Sequence, residues 1–404
     1  MRIAIPNSTA ALAVTTCLAW PTAASAVTDL VVNVDCASGE NIARALSRTN
    51  VLDRRMIIVV SGTCTENVTI ERDDVVLRVT SSGGGVSAAN ATNPAILINA
   101  ARRVALENIA VSGGHDGVRI TAGAAATIRS GSIRNAGFAG VRVDNSSSAV
   151  IDGSTIEGHG QYGVTAVGST VTVTSSGIRG NGFSGVVSAS GGALVLGQID
   201  DAGNVCCGNT IENNRLDGVT VSRGATVRMY GNVVQGNGVA TGRYGVLVGE
   251  ESLVWMEGGN QLRGNGSPTL GGGALVRASS LRTGFGDQPV TPQTNEISGN
   301  TNGIVAISAN LQLQGGLVVT GNTLTGVSLD QGTRLRTDGT SITGNGGHGI
   351  SLSQTSGVAF IGGANNVSGN GGFGVICFDV GSHYAGNTSG VSGNTQGQVN
   401  CAGF

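Results

Sequence analysis

Asp116, Arg119, Arg142, Asp144 and Tyr162 are the residues of this chain whose types and spacing best suit chemistry. Carboxylates and phenols abstract or donate protons, and guanidinium groups neutralise a carboxylate on a bound molecule. Cleavage or epimerisation of an acidic sugar polymer needs this combination of groups. The simpler interpretation is a surface ladder in which both arginines share both aspartates, since exposed ion pairs are common and contribute little.

These residues fall in successive copies of a repeat whose marker is a glycine followed by valine or isoleucine. A repeat of about 20 to 50 residues is typical of a solenoid, in which each copy buries its apolar face against its neighbours. The first three markers are 23 residues apart. The markers are Gly117, Gly140, Gly163, Gly185, Gly218, Gly245, Gly303, Gly326, Gly349 and Gly374.

One copy of the repeat contains three short alternating segments, which in the first copy are residues 117–121, 126–129 and 131–135. Each segment ends at glycine, serine or asparagine, which are typical turn residues. Hairpins would double the period, whereas a chain that turns after each strand and returns one period later builds three parallel sheets. Equivalent residues then stack about 4.8 Å apart.

An asparagine column supports this stacked arrangement. Its members precede the repeat glycine by four residues, and His159 holds the same position before Gly163. Asparagine side chains both donate and accept hydrogen bonds, so stacked copies can bond to one another or to turn backbone. We interpret His159 as a substitute rung of the ladder. The predicted ladder comprises Asn181, Asn214, Asn322, Asn345 and Asn370.

The repeat resembles that of the right-handed parallel β-helix proteins of the pectate-lyase-like superfamily. Members commonly close the N-terminal end with an amphipathic helix, and residues 41–46 match that pattern. The resemblance implies an all-β, single-stranded right-handed parallel β-helix of about 13 coils with an N-terminal capping helix. We expect a signal peptide at 1–26, a cap and first coil at 27–74, and the β-helix at 75–404.

The sequence motifs of enzymes with this fold are missing here. The Trp-Ile-Asp-His segment of pectate lyases and the Asp-Pro-His-Asp string of alginate epimerases are both absent. Of the polygalacturonase strings, Asp200-Asp201 and two Gly-His-Gly segments occur, but Asn-Thr-Asp is missing. Arg-Ile-Lys cannot occur, because the chain contains no lysine. The resemblance therefore predicts the fold and leaves the activity open.

Composition excludes several other classes of protein. The formal net charge of the 404 residues is −2 and only 12% are charged, so nucleic acid is not an expected partner. The absence of lysine excludes a lysine base or Schiff base. No cofactor is evident, calcium is not supported by the sequence, and no transmembrane segment is expected.

The N-terminus predicts export. An apolar run followed by Ala24-Ser25-Ala26 reads as a signal peptide cleaved after Ala26, which places the protein in a secreted or periplasmic location. Six cysteines remain in that oxidising setting. We expect Cys36 to pair with Cys64 and Cys377 with Cys401. Cys206 and Cys207 are left as a strained vicinal disulfide or as free thiols.

Insertions interrupt the period between Gly185 and Gly218 and between Gly273 and Gly303. The second residue after each repeat glycine should point outward, and in this part of the chain that residue is mostly apolar. We expect the insertions to fold over these apolar residues. The alternative is an exposed binding stripe. No aromatic platform for sugar stacking is expected. The apolar outward-pointing residues are Val187, Leu247, Leu275 and Val305.

The sequence leaves two functions open. The favoured one is an exported, non-catalytic β-helix that acts as a binding, surface or structural module, with a polysaccharide or another surface protein as partner. The alternative is a divergent polysaccharide lyase or epimerase acting on an acidic glycan through Asp116, Arg119, Arg142, Asp144 and Tyr162. A monomer is expected in either case.

Overall fold

Three long parallel sheets run the length of a single solenoid. The computed structural model describes residues 29–48, 54–80, 84–284, 293–361 and 365–401. Each turn contributes one strand to each sheet, in the order sheet 1, sheet 2, sheet 3, and about fifteen turns are stacked. The predicted signal peptide lies outside the described residues.

Sheet 1 has 15 strands: Leu30–Asp35, Met56–Ser61, Val75–Val79, Val104–Glu107, Ala125–Arg129, Ser148–Asp152, Thr170–Thr174, Ala193–Leu196, Thr226–Tyr230, Leu253–Gly258, Ser280–Thr283, Asn310–Leu313, Arg334–Thr337, Gly357–Phe360 and His383–Ala385. Sheet 2 has 14 short strands: Thr63–Thr65, Gly85–Ser87, Ala110–Ser112, Ser132–Arg134, Thr155–Glu157, Gly177–Arg179, Thr210–Glu212, Val233–Gln235, Gln261–Arg263, Glu296–Ser298, Val318–Thr320, Ser341–Thr343, Asn366–Ser368 and Val391–Ser392.

Sheet 3 holds the strands that carry the repeat glycines. Its 14 strands are Val68–Ile70, Ile96–Asn99, Asp116–Thr121, Ala139–Val143, Tyr162–Val167, Val186–Ala189, Val219–Ser222, Tyr244–Val248, Gly272–Arg277, Asn302–Ile307, Val327–Asp330, Ile350–Leu352, Phe373–Cys377 and Gly397–Asn400. The remaining elements are an antiparallel hairpin of Gln198–Ile199 with Val205–Cys206, the α-helix Ile42–Leu46, and the 3-10 turns Cys36–Ser38 and Thr388–Gly390.

The core is one continuous column of small and branched side chains between the sheets. Val118, Val141, Val164 and Val186 are register partners in successive coils, and each is fully buried. Because side chains alternate across a strand, the residue after each of these valines points outward. The repeat valine therefore belongs to the core, and the residue after it belongs to the surface of sheet 3.

The solenoid has slightly more coils than the 13 that we expected. Leu30–Asp35 already pairs in parallel register with Met56–Ser61, ahead of the predicted start near residue 75. Alternation of inward and outward side chains in this first strand lets it join sheet 1 directly. The division at residue 74 stays a prediction.

The helix Ile42–Leu46 lies within the predicted segment. Asn41 caps its first turn by accepting a hydrogen bond from the Arg44 backbone N–H at 2.8 Å. Ile42 and Ala45 are buried in the solenoid core. That the helix protects the end of the core stays a prediction.

Both predicted disulfides are present. The Cα atoms of Cys36 and Cys64 are 4.9 Å apart, and those of Cys377 and Cys401 are 4.8 Å apart. Each bond joins neighbouring turns at one end of the described solenoid. A crosslink of this kind stabilises chiefly by restricting the unfolded chain, by about 3 kcal/mol for loops of this length.

The asparagine column is longer than the sequence predicted. From Asn181 onward each side chain accepts the backbone N–H of the preceding member, and most also accept its Nδ2 amide. All members are buried. The column runs through Asn181, Asn214, Asn237, Asn265, Asn300, Asn322, Asn345, Asn370 and Asn394.

His159 occupies the rung before Asn181. Its Nδ1 accepts the Ala136 backbone N–H at 3.1 Å, and its own backbone N–H donates to Asn181 Oδ1 at 3.1 Å. Only 2% of the residue is exposed, and burial lowers the pKa of His159 to about 4.

The buried histidine makes the stability of the fold depend on pH. Because the pKa of His159 is about 4 when folded and about 6.5 when unfolded, the unfolded chain binds more protons between these values. We expect His159 to reduce the free energy of unfolding by about 2 kcal/mol between pH 7 and pH 5. Urea unfolding at both pH values measures this, and His159→Asn is the control because asparagine does not titrate. Equal pH dependence of the two proteins would contradict it.

Candidate functional site

The two predicted arginines meet at one carboxylate on the surface of sheet 3. Arg119 and Arg142 are register partners on adjacent strands. Asp144 Oδ2 accepts hydrogen bonds from Arg119 Nη2 at 3.0 Å and from Arg142 Nε at 2.9 Å. Asp144 is 4% exposed, whereas about a third of each arginine side chain remains exposed. The pairing fixes both guanidinium groups and leaves them accessible.

Asp116 does not take part in this pairing. It is fully buried, and its Oδ2 lies 3.2 Å from Nδ1 of the exposed His115. Among described residues, neither Arg119 nor Arg142 forms an ion pair with it. The arginines therefore share one aspartate rather than two. The second aspartate forms a separate carboxylate–imidazole pair.

Tyr162 belongs to an aromatic column beside the arginines. The ring centroid of Phe138 is 5.2 Å from that of His115, in a stacked arrangement, and 5.4 Å from that of Tyr162, edge to face. Phe183 continues the column 5.7 Å beyond Tyr162. The Arg142 guanidinium lies 5.4 Å from the Phe138 ring centroid. We call these residues with Asp116, Arg119 and Asp144 the arginine–aromatic face.

We did not expect this aromatic column from the sequence, because we considered only tryptophan and rings at one fixed position before the repeat glycine. The four rings come from two positions, because Tyr162 directly precedes its glycine while His115, Phe138 and Phe183 stand two residues before theirs. When both positions before the glycine are considered, the sequence has an aromatic ring in each of four consecutive repeats.

Several buried polar atoms of this face have no hydrogen-bond partner among the residues that the structure describes. They are Asp116 Oδ1, Arg119 Nε and Asp144 Oδ1, and next to the face Thr165, the register partner of Arg142, adds its Oγ1. Native proteins satisfy nearly all such atoms, because an unpaired buried group costs about 1–3 kcal/mol. These atoms lie within three coils. The face therefore carries more polar groups than the hydrogen bonds within it satisfy.

The expected cover over the apolar stripe is not observed for the first insertion. The insertion forms the hairpin of Gln198–Ile199 with Val205–Cys206, which leaves from sheet 1 and returns to sheet 2. The stripe lies on sheet 3, where Leu247, Leu275 and Val305 are half-buried as neighbours in one column. Residues 285–292 of the second insertion lie outside the described residues.

The inserted hairpin carries the remaining residues that the sequence singled out. Cys206 and Cys207 are free thiols whose Sγ atoms are 2.7 Å apart. The Asp200 carboxylate accepts the Asn204 backbone N–H at 2.7 Å, a bond that lowers the pKa of Asp200. Asp200 therefore closes its own loop, which lies between a strand of sheet 1 and a strand of sheet 2.

Neither a membrane-spanning helix nor a cluster of three metal-ligating side chains occurs among the described residues. No helix in this part of the chain is long and apolar enough to cross a membrane. The histidine, cysteine, aspartate and glutamate side chains of the same residues form no group of three that could hold a metal ion.

The fold defines the class of protein, a parallel β-helix solenoid. The family described as "Right handed beta helix region" matches residues 57–199 and 94–267, which together span more than half of the chain. The chain belongs to this family. The right-handed β-helix inferred from the repeat is thus confirmed.

Solved structures with a similar architecture share little sequence with this chain. The Azotobacter vinelandii mannuronan C-5 epimerase AlgE4 A-module is 12% identical, with a TM-score of 0.45 over 85% of this chain and 94% of that chain. The periplasmic alginate epimerase AlgG is 13% identical, with a TM-score of 0.44 over 91% of this chain and 83% of that chain. The Dettilon tailspike protein is 12% identical, with a TM-score of 0.46 over 86% of this chain and 62% of that chain. These likenesses carry no argument about activity. No curated protein matches the sequence.

Proposed function

We propose that this protein is an exported, non-catalytic carbohydrate-binding β-helix, and that the arginine–aromatic face binds a linear polysaccharide. The observation that carries the proposal is the run of rings from His115 to Phe183 beside two fixed arginines. The two disulfides favour an oxidising compartment, in agreement with export.

The aromatic column suits a chain of sugars because its step matches the step of the coils. Ring centroids follow one another at 5.2, 5.4 and 5.7 Å. A sugar ring spans roughly one strand step of about 4.8 Å, so each ring faces one sugar. Aromatic rings present large apolar contact area with little side-chain freedom to lose, which favours binding.

The arginines supply the polar half of the same surface. Asp144 engages one nitrogen of each guanidinium, which leaves further N–H groups of Arg119 and Arg142 for a bound molecule. These donors are preorganised by the shared carboxylate, so little freedom is lost on binding. Hydroxyl or carboxylate oxygens of a glycan would accept from them.

Phe138→Ala is expected to weaken polysaccharide binding about tenfold, because it removes the ring that contacts His115, Tyr162 and Arg142. The matched control is Phe373→Ala, since Phe373 also stacks on a histidine, His348, elsewhere on sheet 3. Affinity electrophoresis of the full chain against acidic and neutral polysaccharides measures both. Equal loss in the two variants, or none in Phe138→Ala, would contradict the proposal.

One observation favours the catalytic alternative, the buried Asp116 held against His115. Such a pair can remove a proton beside a uronate carboxylate that Arg142 neutralises. β-Elimination then breaks the bond to the glycosidic oxygen, which takes a proton from the Tyr162 hydroxyl as it leaves, and an unsaturated sugar end remains. The same incubations are therefore followed in the ultraviolet for unsaturated ends. Ends that form with the wild type and vanish with Arg142→Ala and with Tyr162→Phe would favour the lyase over the binding module.

A further inference from the structure

A second polar surface lies on sheet 1, far along the chain from the arginine–aromatic face. It is a groove of about 580 Å³ whose walls carry Arg282, Arg334, Arg336 and His383. Within the described part of the chain, no carboxylate lines it. We call these four residues, with Gln312 between them, the basic groove.

The strand pattern explains why these side chains point outward. In Arg334–Thr337 both arginines are exposed while the intervening Leu335 is buried in the core. Arg282, Gln312 and Arg336 are register partners in three successive coils and form one column. Arg334 lies in the neighbouring column, which leads to His383.

The arginines of the basic groove have no acidic partner in the described part of the chain, whereas many arginines elsewhere do. Among described residues, no carboxylate oxygen lies within 4.0 Å of the side-chain nitrogens of Arg282, Arg334 or Arg336. Among the described residues, the arginines that pair with a carboxylate include Arg78, Arg103, Arg119, Arg134, Arg142, Arg179, Arg223 and Arg243. Like charges concentrated in one groove repel each other, so an anionic ligand would stabilise them.

Small residues form the floor of the groove. Gly357 and Ala359 lie on the strand beside the arginine strand, and Ala385 lies on the strand after it. A Cβ atom at Gly357 would stand 2.6 Å from His383 Cε1. The glycine thus makes room for the imidazole ring. The depth of the groove follows from the sequence of three successive strands rather than from a loop.

We propose that the basic groove binds an acidic polysaccharide along the axis of the solenoid. Arg282 and Arg336 are two coils apart, about 9.6 Å at strand spacing. A sugar ring spans roughly one coil, so acidic groups on alternate sugars face the two arginines and Gln312 bonds the sugar between them. Guanidinium groups suit this role because they bind carboxylates in a bidentate manner.

The column of Arg282, Gln312 and Arg336 continues beyond the groove into earlier coils. Trp255 and Arg228 are the preceding register partners of Arg282, and the Arg228 guanidinium lies 4.2 Å from the Trp255 ring centroid. The proposed binding surface, from Arg228 to Arg336, therefore covers five coils. It lies on a different sheet from the arginine–aromatic face and does not depend on the function proposed for that face.

The test uses the full chain and a polygalacturonate oligosaccharide, with its methyl ester as the uncharged counterpart. The double variant Arg282→Gln/Arg336→Gln is expected to bind the acid about a hundredfold more weakly, about tenfold for each lost charge-assisted contact. Arg215→Gln, which removes an exposed charge outside the groove, is the control and should bind as the wild type does. Isothermal titration calorimetry gives the affinities.

Several outcomes would overturn the proposal. They are unchanged binding by the double variant, equal binding of the methyl ester, and equally tight binding of single-stranded DNA, which would show a response to charge alone. Phe138→Ala separates the two surfaces, because it should leave binding at the basic groove unchanged. Loss of acid binding in Phe138→Ala but not in the double variant would assign the acidic glycan to the arginine–aromatic face instead.

Discussion

Gly218→Ala is expected to lower the free energy of unfolding by about 4 kcal/mol. A Cβ atom at Gly218 would stand 2.6 Å from the Gly245 carbonyl oxygen, 2.6 Å from Val234 Cγ1 and 2.9 Å from Asn237 Nδ2. The first of these is backbone of the next coil and cannot rotate away. The variant must therefore separate two coils or displace a rung of the ladder. Urea unfolding followed by circular dichroism measures the loss.

Gly177→Ala is the matched control for this substitution. Gly177 lies in a strand of sheet 2, and no atom of the described residues stands within 4 Å of the position that its Cβ would take. The same chemical change should then leave stability unchanged or slightly improved, since alanine restricts the unfolded chain. A similar loss in both variants would show that close approach between coils is not what the repeat glycine provides.

Asn237→Ala should have an effect of about 5 kcal/mol, the largest expected from one side chain of the ladder. Asn237 is fully buried. Its Oδ1 accepts from the Asn214 backbone N–H at 3.1 Å and from Asn214 Nδ2 at 2.9 Å, while its Nδ2 donates to the Ile211 carbonyl at 3.0 Å. Alanine removes all three bonds and leaves the buried Asn214 backbone N–H without this acceptor, at about 1–3 kcal/mol for each group that loses its partner.

Asn366→Ala provides the comparison, because Asn366 lies on a strand of sheet 2 with its side chain exposed. We expect a change within about 0.5 kcal/mol for that surface position. The urea midpoints of the two variants, measured side by side, test the ladder directly. If Asn237→Ala unfolds at the midpoint of Asn366→Ala, the bonds of the ladder contribute nothing to the stability of the fold.

The sequence predicted the parallel coils well because a fixed period forces equivalent residues into register. It predicted only part of the ladder, because longer corner loops place Asn237 and Asn265 eight residues before their glycines rather than four. A second asparagine column at the corner between sheets 1 and 2 was missed as well. Its members Asn209, Asn232, Asn260 and Asn295 each stand five residues before a member of the first column, a spacing visible in the sequence.

The candidate site was harder to predict than the strands that carry it. The period placed Arg119 and Arg142 on adjacent strands, but it could not show that one carboxylate oxygen of Asp144 serves both. Side-chain reach decides such pairing. For the same reason the unpaired state of Arg334 and Arg336 could not be read from the sequence, since it depends on what the neighbouring columns present in space.

At several corner positions of the solenoid, the bonds between coils run in one direction. There a backbone N–H in the earlier coil donates to a side-chain acceptor in the later coil, and the residue type of the acceptor varies. The acceptors include Asn237, His159, Ser252 and Thr333. After the last rung, Gln398 of the same coil accepts from Asn394 Nδ2 instead. At these corners the later coil therefore needs only a side chain that can accept a hydrogen bond. Evolution can exchange one accepting residue for another there without altering the shape of the rod, whereas losing the acceptor harms the coil before it rather than its own.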